Sequence, residues 1–304
     1  MRELLISVME NSRHWVNQGA VATYIPALAK ANAKHLGISV ADLNGETVTV
    51  GHCGSNLTLQ SISKPLALML ALMDRGADEV FSKVGMEPTG DPFNSIIKLE
   101  TLKLGKPLNP MINAGAIATT ALIKGGDSNE KFKRLLQLIR TLAGNDNIKI
   151  NEEVYLSEKE TADRNRALAY FMRDTGVLAG DVEEVLDVYF KQCAIEVSCH
   201  DIAQIALCLA NGGRTLAGEV IVPSTIVRII ITFMVTCGMY NSSGEFAIKV
   251  GIPAKSGVSG GIMAVVPGKF GIGVYGPALD EKGNSIAGVY ILQQLSERLK
   301  LSIF

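Results

Sequence analysis

Ser61 and Lys64 are a pair of residues whose types and spacing could do chemistry. They open an apolar stretch that runs through Pro65 to Leu70, which is typical of a buried helix with proline in its first turn. At a helix N-terminus, free backbone N–H groups and the helix dipole favour an oxyanion beside the serine. A lysine three residues later lies on the serine's face and can reach its hydroxyl. The S-x-x-K pattern therefore predicts a serine nucleophile activated by a desolvated lysine.

The tetrapeptide alone has low specificity. Ser128 and Lys131 repeat the same spacing in a polar stretch, where an ordinary surface helix is the better interpretation. For Ser61 and Lys64 the alternative is an N-cap serine followed by a solvated first-turn charge. The elements that would position a reactive serine must therefore be found elsewhere in the chain.

Composition excludes several classes of function. The chain has 304 residues, 47% of them hydrophobic, with 29 basic and 30 acidic residues spread along it, so we expect a large core and no nucleic-acid partner. The five cysteines form no C-x-x-C pair and are expected to be buried free thiols. The four histidines lack ligand spacing, which predicts no metal, and we expect no cofactor. The N-terminus lacks a secretory signal, so the expected location is cytoplasmic.

The run from Val220 to Cys237 is the most apolar segment. It is interrupted by Pro223 and Arg228 and is rich in β-branched residues. These features favour a core helix after a short strand or turn over a segment that crosses about 30 Å of hydrocarbon. We therefore predict no membrane partner.

Strands are predicted near both ends of the chain. Gly37–Leu43 and Glu46–Gly51 alternate with period two around an Asn-Gly turn. Lys255–Val266 and Phe270–Tyr275 form a glycine-rich pair, and Ser285–Tyr290 is predicted as a third strand before a C-terminal helix. We expect one antiparallel sheet with helices packed beside it.

The expected organisation is a single domain over residues 1–304. Its sheet subdomain would comprise about 1–58 and 250–304, and its helical subdomain about 59–249. Between the S-x-x-K helix and Asn113, the segment Gly85–Pro110 has little periodicity and is predicted to be an ordered functional loop. Asn113 itself is either a buried amide with local partners or a substrate contact.

Ser157–Glu160 has the S-x-x-E form of a capping box. It predicts a helix from about Glu158 to about Met172, in which Glu158 and Asn165 share one face. Taken singly, Glu158 is an ordinary first-turn carboxylate and Asn165 an ordinary surface amide. Tyr189 and Tyr240 are, in the same way, core aromatics by default.

Lys255, Ser256 and Gly257 supply a second motif. A K-[ST]-G strand opposite an S-x-x-K helix is the arrangement of β-lactamases and penicillin-binding proteins, where the strand lends a backbone N–H to an oxyanion hole. Its glycine would let substrate approach the backbone. The fold class expected from the strands at both ends and the helices between them is α+β, with an antiparallel sheet flanked by helices and a helical lobe.

From about Tyr24 to about Val274 the sequence resembles the serine-dependent glutaminases, in their short bacterial form. The resemblance implies a serine β-lactamase-like fold. Six blocks in order carry it: Gln60–Lys64, Asn109–Ala116, Ser157–Glu158 with Arg164–Asn165, Val188–Phe190 with Gln192–Cys193, Thr236–Tyr240 and Lys255–Gly261.

The resemblance implies a mechanism. Ser61 would attack the side-chain amide of L-glutamine, release ammonia and form a glutamyl ester that water hydrolyses to glutamate. Lys64 would lower the pKa of the serine or take its proton. Tyr189 and Tyr240 match the active-site tyrosines, either of which could relay that proton. The backbone N–H groups of Ser61 and Val258 match the oxyanion hole.

The resemblance also implies a binding site for the amino-acid end of the substrate, formed by Tyr24, Asn113, Glu158 and Asn165, with contributions from the nucleophile, both tyrosines and the oxyanion hole. A buried glutamate near two asparagines complements the ammonium and carboxylate of glutamine in a way that a β-lactam would not require. The sequence departs from the family pattern at Ala162, where glycine is expected, and we expect only local packing to differ there.

Two alternatives remain open at this point. One is a penicillin-recognising acyltransferase or β-lactamase, which would work outside the cytoplasm, and the other is a catalytically inactive relative that serves as a binding protein. The apolar surplus further predicts a homodimer or homotetramer.

Overall fold

The computed structural model describes residues 1–95 and 106–304. Its main sheet has five antiparallel strands in the order β2-β1-β8-β7-β6, so both ends of the chain build it, as predicted. The strands of the described residues are β1 (Gly37–Asp42), β2 (Thr47–Gly51), β3 (Leu57–Thr58), β4 (Lys149–Ile150), β5 (Ile195–Val197), β6 (Ala254–Ser256), β7 (Gly261–Val266) and β8 (Phe270–Tyr275). β3, β5 and β4 pair, in that order, as a second small sheet.

The predicted hairpin of β1 and β2 is confirmed. Gly45 takes a φ of +88°, which glycine adopts without strain, and the Asp42 carboxylate accepts hydrogen bonds from the N–H groups of Asn44 and Glu46, both at 2.9 Å. β1 also pairs with β8, with Val40 opposite Ile272. The N-terminal hairpin is thereby joined to the glycine-rich C-terminal strands.

Helices cover both faces of the main sheet. The helices of the described residues are α1 (Arg2–Ser12), α2 (Ser63–Lys83), α3 (Asn113–Ala121), α4 (Ser128–Ala143), α5 (Glu152–Glu160), α6 (Asp163–Asp174), α7 (Val182–Cys193), α8 (Cys199–Ala210), α9 (Ser224–Cys237), α10 (Ser243–Lys249) and α11 (Ile286–Leu299). α8 packs against β8, β1 and β7, while α1 and α11 pack together with apolar residues of the opposite face. The antiparallel α+β architecture is confirmed; the boundaries of the two subdomains stay a prediction.

α2 is the central helix of the helical region, and its first half, from Ser63 to Leu72, is buried. It contacts α3, α4 and α9. Gly76, at φ 79° and ψ 166°, breaks the helix near its end. The part that follows Ser61 is therefore a rigid element enclosed in the core.

The prediction of a strand over Ser285–Tyr290 is wrong. Ser285 is instead the N-cap of α11, and its hydroxyl accepts a hydrogen bond from Gly288 N at 3.1 Å. The buried residues Ala287, Ile291 and Leu295 recur every four positions, which is helical rather than period-two spacing. Residues 285–290 alone contain too little of this helical pattern to reveal it.

The single helix predicted from about Glu158 to about Met172 is also wrong. α5 begins after the N-cap Asn151, whose side chain accepts from Val154 N at 3.0 Å, and it ends at Glu160. The Ser157 hydroxyl accepts from Ala27 N at 3.2 Å instead of capping a helix. Glu158 and Asn165 therefore lie on two helices, with the buried Ala162 at the break.

The apolar run ending at Cys237 forms helix α9, as expected. By length and apolar character, none of the described helices passes alone as a membrane span, although the bent pair Ser224–Cys237 and Tyr240–Lys249 passes together. Residues 85–95 and 106–110 contain no helix or strand, which agrees with the predicted loop, and residues 96–105 of that loop lie outside the described residues.

Close packing of α8 on the sheet depends on Gly271 of β8. A Cβ atom there would lie 2.1 Å from Leu207 N and 2.2 Å from Ala203 O. We expect Gly271→Ala to lower the free energy of unfolding by roughly 3 kcal/mol, the upper end for overpacked cores, measured by urea denaturation. Gly54→Ala is the matched control, because no atom lies within 4 Å of its added Cβ. Equal denaturation midpoints for the two variants would contradict this expectation.

Candidate active site

Ser61 lies in a 3-10 turn, Gln60–Ile62, that leads directly into α2. This confirms its predicted place at a helix N-terminus. The turn is held by the hydrogen bonds of Leu59 N to Ile195 O at 2.8 Å and of Ser63 Oγ to Gln60 O at 2.7 Å. Ser61 is 8% exposed. It therefore sits at the edge of the enclosed interior with its backbone fixed.

Lys64 is 1% exposed and has no carboxylate in salt-bridge contact among the described residues. Its Nζ donates to Met111 O at 3.1 Å and to Asn113 Oδ1 at 2.7 Å. Burial lowers the pKa of Lys64 to about 8, and the negative charge of Glu158 opposes that shift. Part of the Lys64 population is therefore neutral near pH 8.

The K-S-G residues lie where the motif predicts, on the edge strand β6 and the turn that follows it. A Cβ on Gly257 would lie 2.7 Å from Leu59 O and 3.3 Å from Ile62 Cγ1. Glycine is therefore needed at position 257 so that the strand can pack against the serine turn. This packing accounts for the glycine without the predicted approach of substrate. Val258 follows it in a turn closed by the hydrogen bond of Gly260 N to Gly257 O at 2.9 Å.

Lys255 is fully buried beneath Tyr240. Its Nζ donates to Gly238 O at 3.1 Å and to Ser256 O at 2.7 Å, and it lies 4.4 Å from the centre of the Tyr240 ring. Burial, and then the charge of Lys64, lowers the pKa of Lys255 well below its usual range. Lys255 therefore links the edge strand to the segment that carries Tyr240.

Tyr240 has a left-handed φ of 51°, at the start of a short 3-10 turn. Burial raises the pKa of its hydroxyl, and the Ser61 side chain lowers it in part. Tyr240 Oη has no hydrogen bond of ordinary geometry within the described part of the chain. The two hydroxyls are thus neighbours without a formed hydrogen bond, and the tyrosine is neutral at physiological pH.

Glu158 is buried at the end of α5. Burial raises the pKa of Glu158 to about 8, while the Gln60 side chain and the charge of Lys64 lower it in part. Its Oε2 has no hydrogen-bond partner among residues 1–95 and 106–304. An unpartnered buried carboxylate oxygen is costly, so this atom is suited to a cationic group that arrives with a ligand.

Asn113 joins Lys64 to Asn165. Its Oδ1 accepts from Lys64, and its Nδ2 donates to Asn165 Oδ1 at 2.9 Å. Since α3 begins at Asn113 and Asn165 lies in the first turn of α6, two helix starts are joined by this amide pair. Asn113 is therefore a buried amide with partners at both its oxygen and its nitrogen, as one of the two alternatives predicted. Its contact with substrate stays a prediction.

Tyr189 is buried on α7. Burial raises the pKa of the Tyr189 hydroxyl well above its usual range, and Cys193 and Glu158 raise it further. The Cys193 thiol interacts with the side chains of Ser63 and Tyr189. The charge of Glu158 thus influences Tyr189, whereas the side chain of Ser61 interacts with Tyr240.

Tyr24 lies at the entrance. The side chain is 54% exposed, yet the pKa of its hydroxyl is raised, by burial of that end and by the neighbouring Tyr240 and Glu158. An open cavity of about 790 Å³ is lined by Tyr24, Phe93 and Val258 and by the segment 279–283. Two of the candidate site residues, Tyr24 and Val258, therefore line one cavity.

Hydrogen bonds and electrostatic interactions link eight of the nine candidate site residues, and the ninth, Val258, lines a cavity together with Tyr24. Sequence reasoning missed two neighbours. Phe93 lies 5.8 Å from Lys64 Nζ and packs 5.0 Å from the Tyr240 ring, and Gln60 interacts with Glu158. Phe93 lies in an irregular segment without periodicity, whereas Gln60 directly precedes the serine and could have been chosen as its polar neighbour.

Comparison with known proteins gives one consistent family. The glutaminase family model matches residues 19–304. A Clostridium botulinum glutaminase is 58% identical and a Clostridium perfringens glutaminase 2 is 55% identical, each over the full length of both chains. A Bacillus subtilis glutaminase, solved as a covalent complex with 5-oxo-L-norleucine, superposes with a TM-score of 0.92 at 42% identity, covering 100% of this chain and 99% of that chain.

Both the match of the family model and these full-length identities exceed what a shared fold alone would give. The structural neighbours are bacterial glutaminases, so the β-lactamase-like fold implied by the family resemblance is confirmed. The chain therefore belongs to the glutaminase family and hydrolyses the side-chain amide of L-glutamine to L-glutamate and ammonia.

Proposed function

We propose that the hydrolysis proceeds through a covalent glutamyl ester on Ser61, with Lys64 as the proton acceptor. The observation that carries this proposal is the environment of Lys64 Nζ. Within the described ranges it donates to two acceptors, Met111 O and Asn113 Oδ1, which match the two N–H bonds of a neutral amine. A third donor, present only in the ammonium form, has no such acceptor, so the lone pair of the neutral amine is available to the site.

The chemical steps then follow. The Ser61 oxygen attacks the amide carbon as its proton passes to Lys64, by way of the neighbouring Tyr240 hydroxyl. The C–N bond breaks, and the departing nitrogen takes the proton and leaves as ammonia. Water attacks the ester in the same manner, which releases glutamate and restores the serine hydroxyl. Tyr240 acts as a relay because its raised pKa keeps it neutral between transfers.

The oxyanion of the tetrahedral intermediate requires donors beside the serine. We assign this role to the backbone N–H groups of Ser61 and Val258. Support comes from the contact at Gly257, which brings the turn containing Val258 against the serine turn. Both backbones are buried and held by hydrogen bonds, so they need little reorganisation during the reaction.

The amino-acid end of glutamine is assigned to the residues on the far side from β6. The unpartnered Glu158 Oε2 suits the substrate ammonium, and the amides of Asn113 and Asn165 suit its carboxylate. Tyr189 and Tyr24 would close this end with their hydroxyls. The balance of one anion and several amides favours a zwitterionic amino acid over a β-lactam.

Covalent labelling tests the ester proposal. A Bacillus subtilis relative forms a covalent complex with 5-oxo-L-norleucine by reaction with 6-diazo-5-oxo-L-norleucine. We expect the same reagent to add one 5-oxo-norleucine group to this chain, with loss of dinitrogen, and peptide mass spectrometry to locate it on Ser61. The second S-x-x-K serine, Ser128, should stay unlabelled. A label on Tyr240, Cys193 or Ser128 in place of Ser61 would overturn the proposal.

The raised and lowered pKa values predict an alkaline activity profile. Lys64 is neutral, and Glu158 is ionised, above a pH of about 8. Activity needs both forms, so kcat/KM should rise as the pH rises through about 8 and fall only where glutamine loses its ammonium proton. In Glu158→Gln only the titration of Lys64 remains, so kcat/KM should rise less steeply with pH. A flat profile from about pH 6 to about pH 9 would contradict both assignments.

We further propose a cytoplasmic homo-oligomer, either a dimer or a tetramer. The five cysteines of the chain are buried free thiols, as expected, which suits a reducing compartment. Ile248 is 89% exposed and Phe304 77% exposed, and such side chains favour burial against another copy. The absence of nucleic-acid, membrane, metal and cofactor partners stays a prediction from the sequence.

A further inference from the structure

A second cavity, which we call the aromatic cavity, lies behind the segment that carries Tyr240. It has a volume of about 430 Å³, and Trp15, Phe246, Val289, Tyr290 and Asn284 are among its lining residues. The ring centres of Trp15 and Tyr290 lie 5.4 Å apart. The volume falls in the range of small-molecule sites, and the aromatic and aliphatic walls suit an apolar ligand.

Two polar atoms at the aromatic cavity have no partner. Asn284 is 1% exposed, and its Oδ1 has no hydrogen bond within the described residues; its Nδ2 is 3.5 Å from Met239 O. Trp15 Nε1 is likewise buried without an acceptor there. A donor and an acceptor left unsatisfied at one cavity are costly, and a ligand that carries the complementary groups would satisfy them.

The aromatic cavity shares its walls with the active site. Met239 and Ser242, on either side of Tyr240, line it, as do Asp280 and Asn284. Between the last two, Gly283 lies so close to the site that an added Cβ would be 3.5 Å from the Tyr240 ring and 3.4 Å from Val258 Cγ1. A ligand in the aromatic cavity would therefore touch both segments that hold Tyr240 in place.

We propose that the aromatic cavity is an effector site for a small, uncharged aromatic molecule that bears a hydroxyl or amino group. The aromatic walls select the ring, Asn284 Oδ1 accepts from the substituent, and Trp15 Nε1 donates to an acceptor on the ligand. The two charged groups of α10 in the lining, Glu245 and Lys249, pair with each other at 2.7 Å. The third charged lining residue, Asp280, accepts at Oδ1 from the N–H groups of Lys282 and Asn284, both at 2.9 Å, so the site does not demand a charged ligand.

The chain carries its own reporter, because Trp15 is the single tryptophan. Phenol is the probe, since its hydroxyl both donates and accepts. We expect phenol to change Trp15 fluorescence with a saturable dependence on concentration. Over the same range we expect kcat/KM for glutamine to change by about fivefold or more. The kinetic effect rests on the role proposed above for Tyr240, whereas the fluorescence change does not.

Val289→Phe should fill the cavity and abolish both effects, with Val289→Met as a smaller filler if the first variant does not fold. Val220→Phe, which makes the same substitution at a position that is 52% exposed and outside the lining of the aromatic cavity, is the matched control and should keep both effects. Linear, unsaturable quenching that is the same in all proteins would overturn the site. Saturable binding without a kinetic change would overturn its coupling to Tyr240. Trp15 emission that depends on protein concentration and not on phenol would show that a second copy covers the cavity, which also overturns the proposal.

Discussion

Ser61→Ala is expected to lower kcat for L-glutamine by about 10⁴-fold or more, because the hydroxyl is the proposed nucleophile and no neighbouring group can replace the ester it forms. The loss should appear in kcat rather than in KM. Alanine keeps the turn, whose hydrogen bonds are made by Leu59 N and the Ser63 hydroxyl. Ammonia and glutamate release, assayed with glutamine from below to above KM, measures the effect.

Ser128→Ala is the matched control for this variant. Ser128 has the same S-x-x-K spacing but begins the surface helix α4, where Asp127 provides the cap through Glu130 N at 2.8 Å. Its replacement should leave kcat within about twofold, as for most surface changes. Ser61→Ala with more than about a tenth of the normal kcat would contradict the nucleophile assignment. A chromogenic β-lactam in the same assay would reveal any penicillin-recognising activity.

The parts of the fold that were predicted correctly are those with a strong local signal. The Asn44-Gly45 turn specified the first hairpin, and the turn at Pro267–Lys269 specified the pair β7 and β8. The single strand predicted over Lys255–Val266 is wrong, because a turn closed by Gly260 N and Gly257 O divides it into the antiparallel strands β6 and β7. Two predictions from short segments are wrong, each for its own reason. Ser285–Tyr290 resembles the glycine-containing strands before it but belongs to a longer helical pattern. Ser157–Glu160 has the form of a capping box, although the Ser157 hydroxyl accepts from Ala27 N, which is distant in sequence.

In the candidate site, too, the features with a local signal were predicted and the long-range features were not. Its residue types were found from motifs and from the family resemblance, because these stand as short blocks in the sequence. Its contacts are long-range: the acceptors of Lys64 lie 47 and 49 residues away, at Met111 and Asn113. Local patterns carry no information on such distances. The left-handed φ of Tyr240 is likewise set by the fold around it and is uncommon for a non-glycine residue.

Lys64→Met gives the second large expected effect. Methionine is unbranched and adapts to a buried position such as that of Lys64, but it removes the proton acceptor, so kcat should fall by about 10³-fold, within the range for general-base removal. The residual activity should lose the rise near pH 8 that the lysine contributes. Labelling by 6-diazo-5-oxo-L-norleucine should slow by a similar factor, which separates a loss of serine activation from a loss of glutamine binding.

The stability of Lys64→Met to urea distinguishes the loss of a proton acceptor from misfolding of the variant. Burial lowers the pKa of Lys64, which means that its charged form is disfavoured in the folded state. An apolar side chain removes the cost of burying the charge, but Met111 O and Asn113 Oδ1 then lose their hydrogen-bond donor. Since these two effects oppose each other, the urea midpoint should change little although kcat falls steeply. Lys131→Met, in the surface S-x-x-K of α4, is the matched control and should leave kcat unaltered, because Lys131 is only partly buried and donates to Ala121 O at 3.3 Å. If Lys64→Met retained normal kcat with an unchanged pH profile, the proton acceptor would have to be Tyr240 or Tyr189 acting alone.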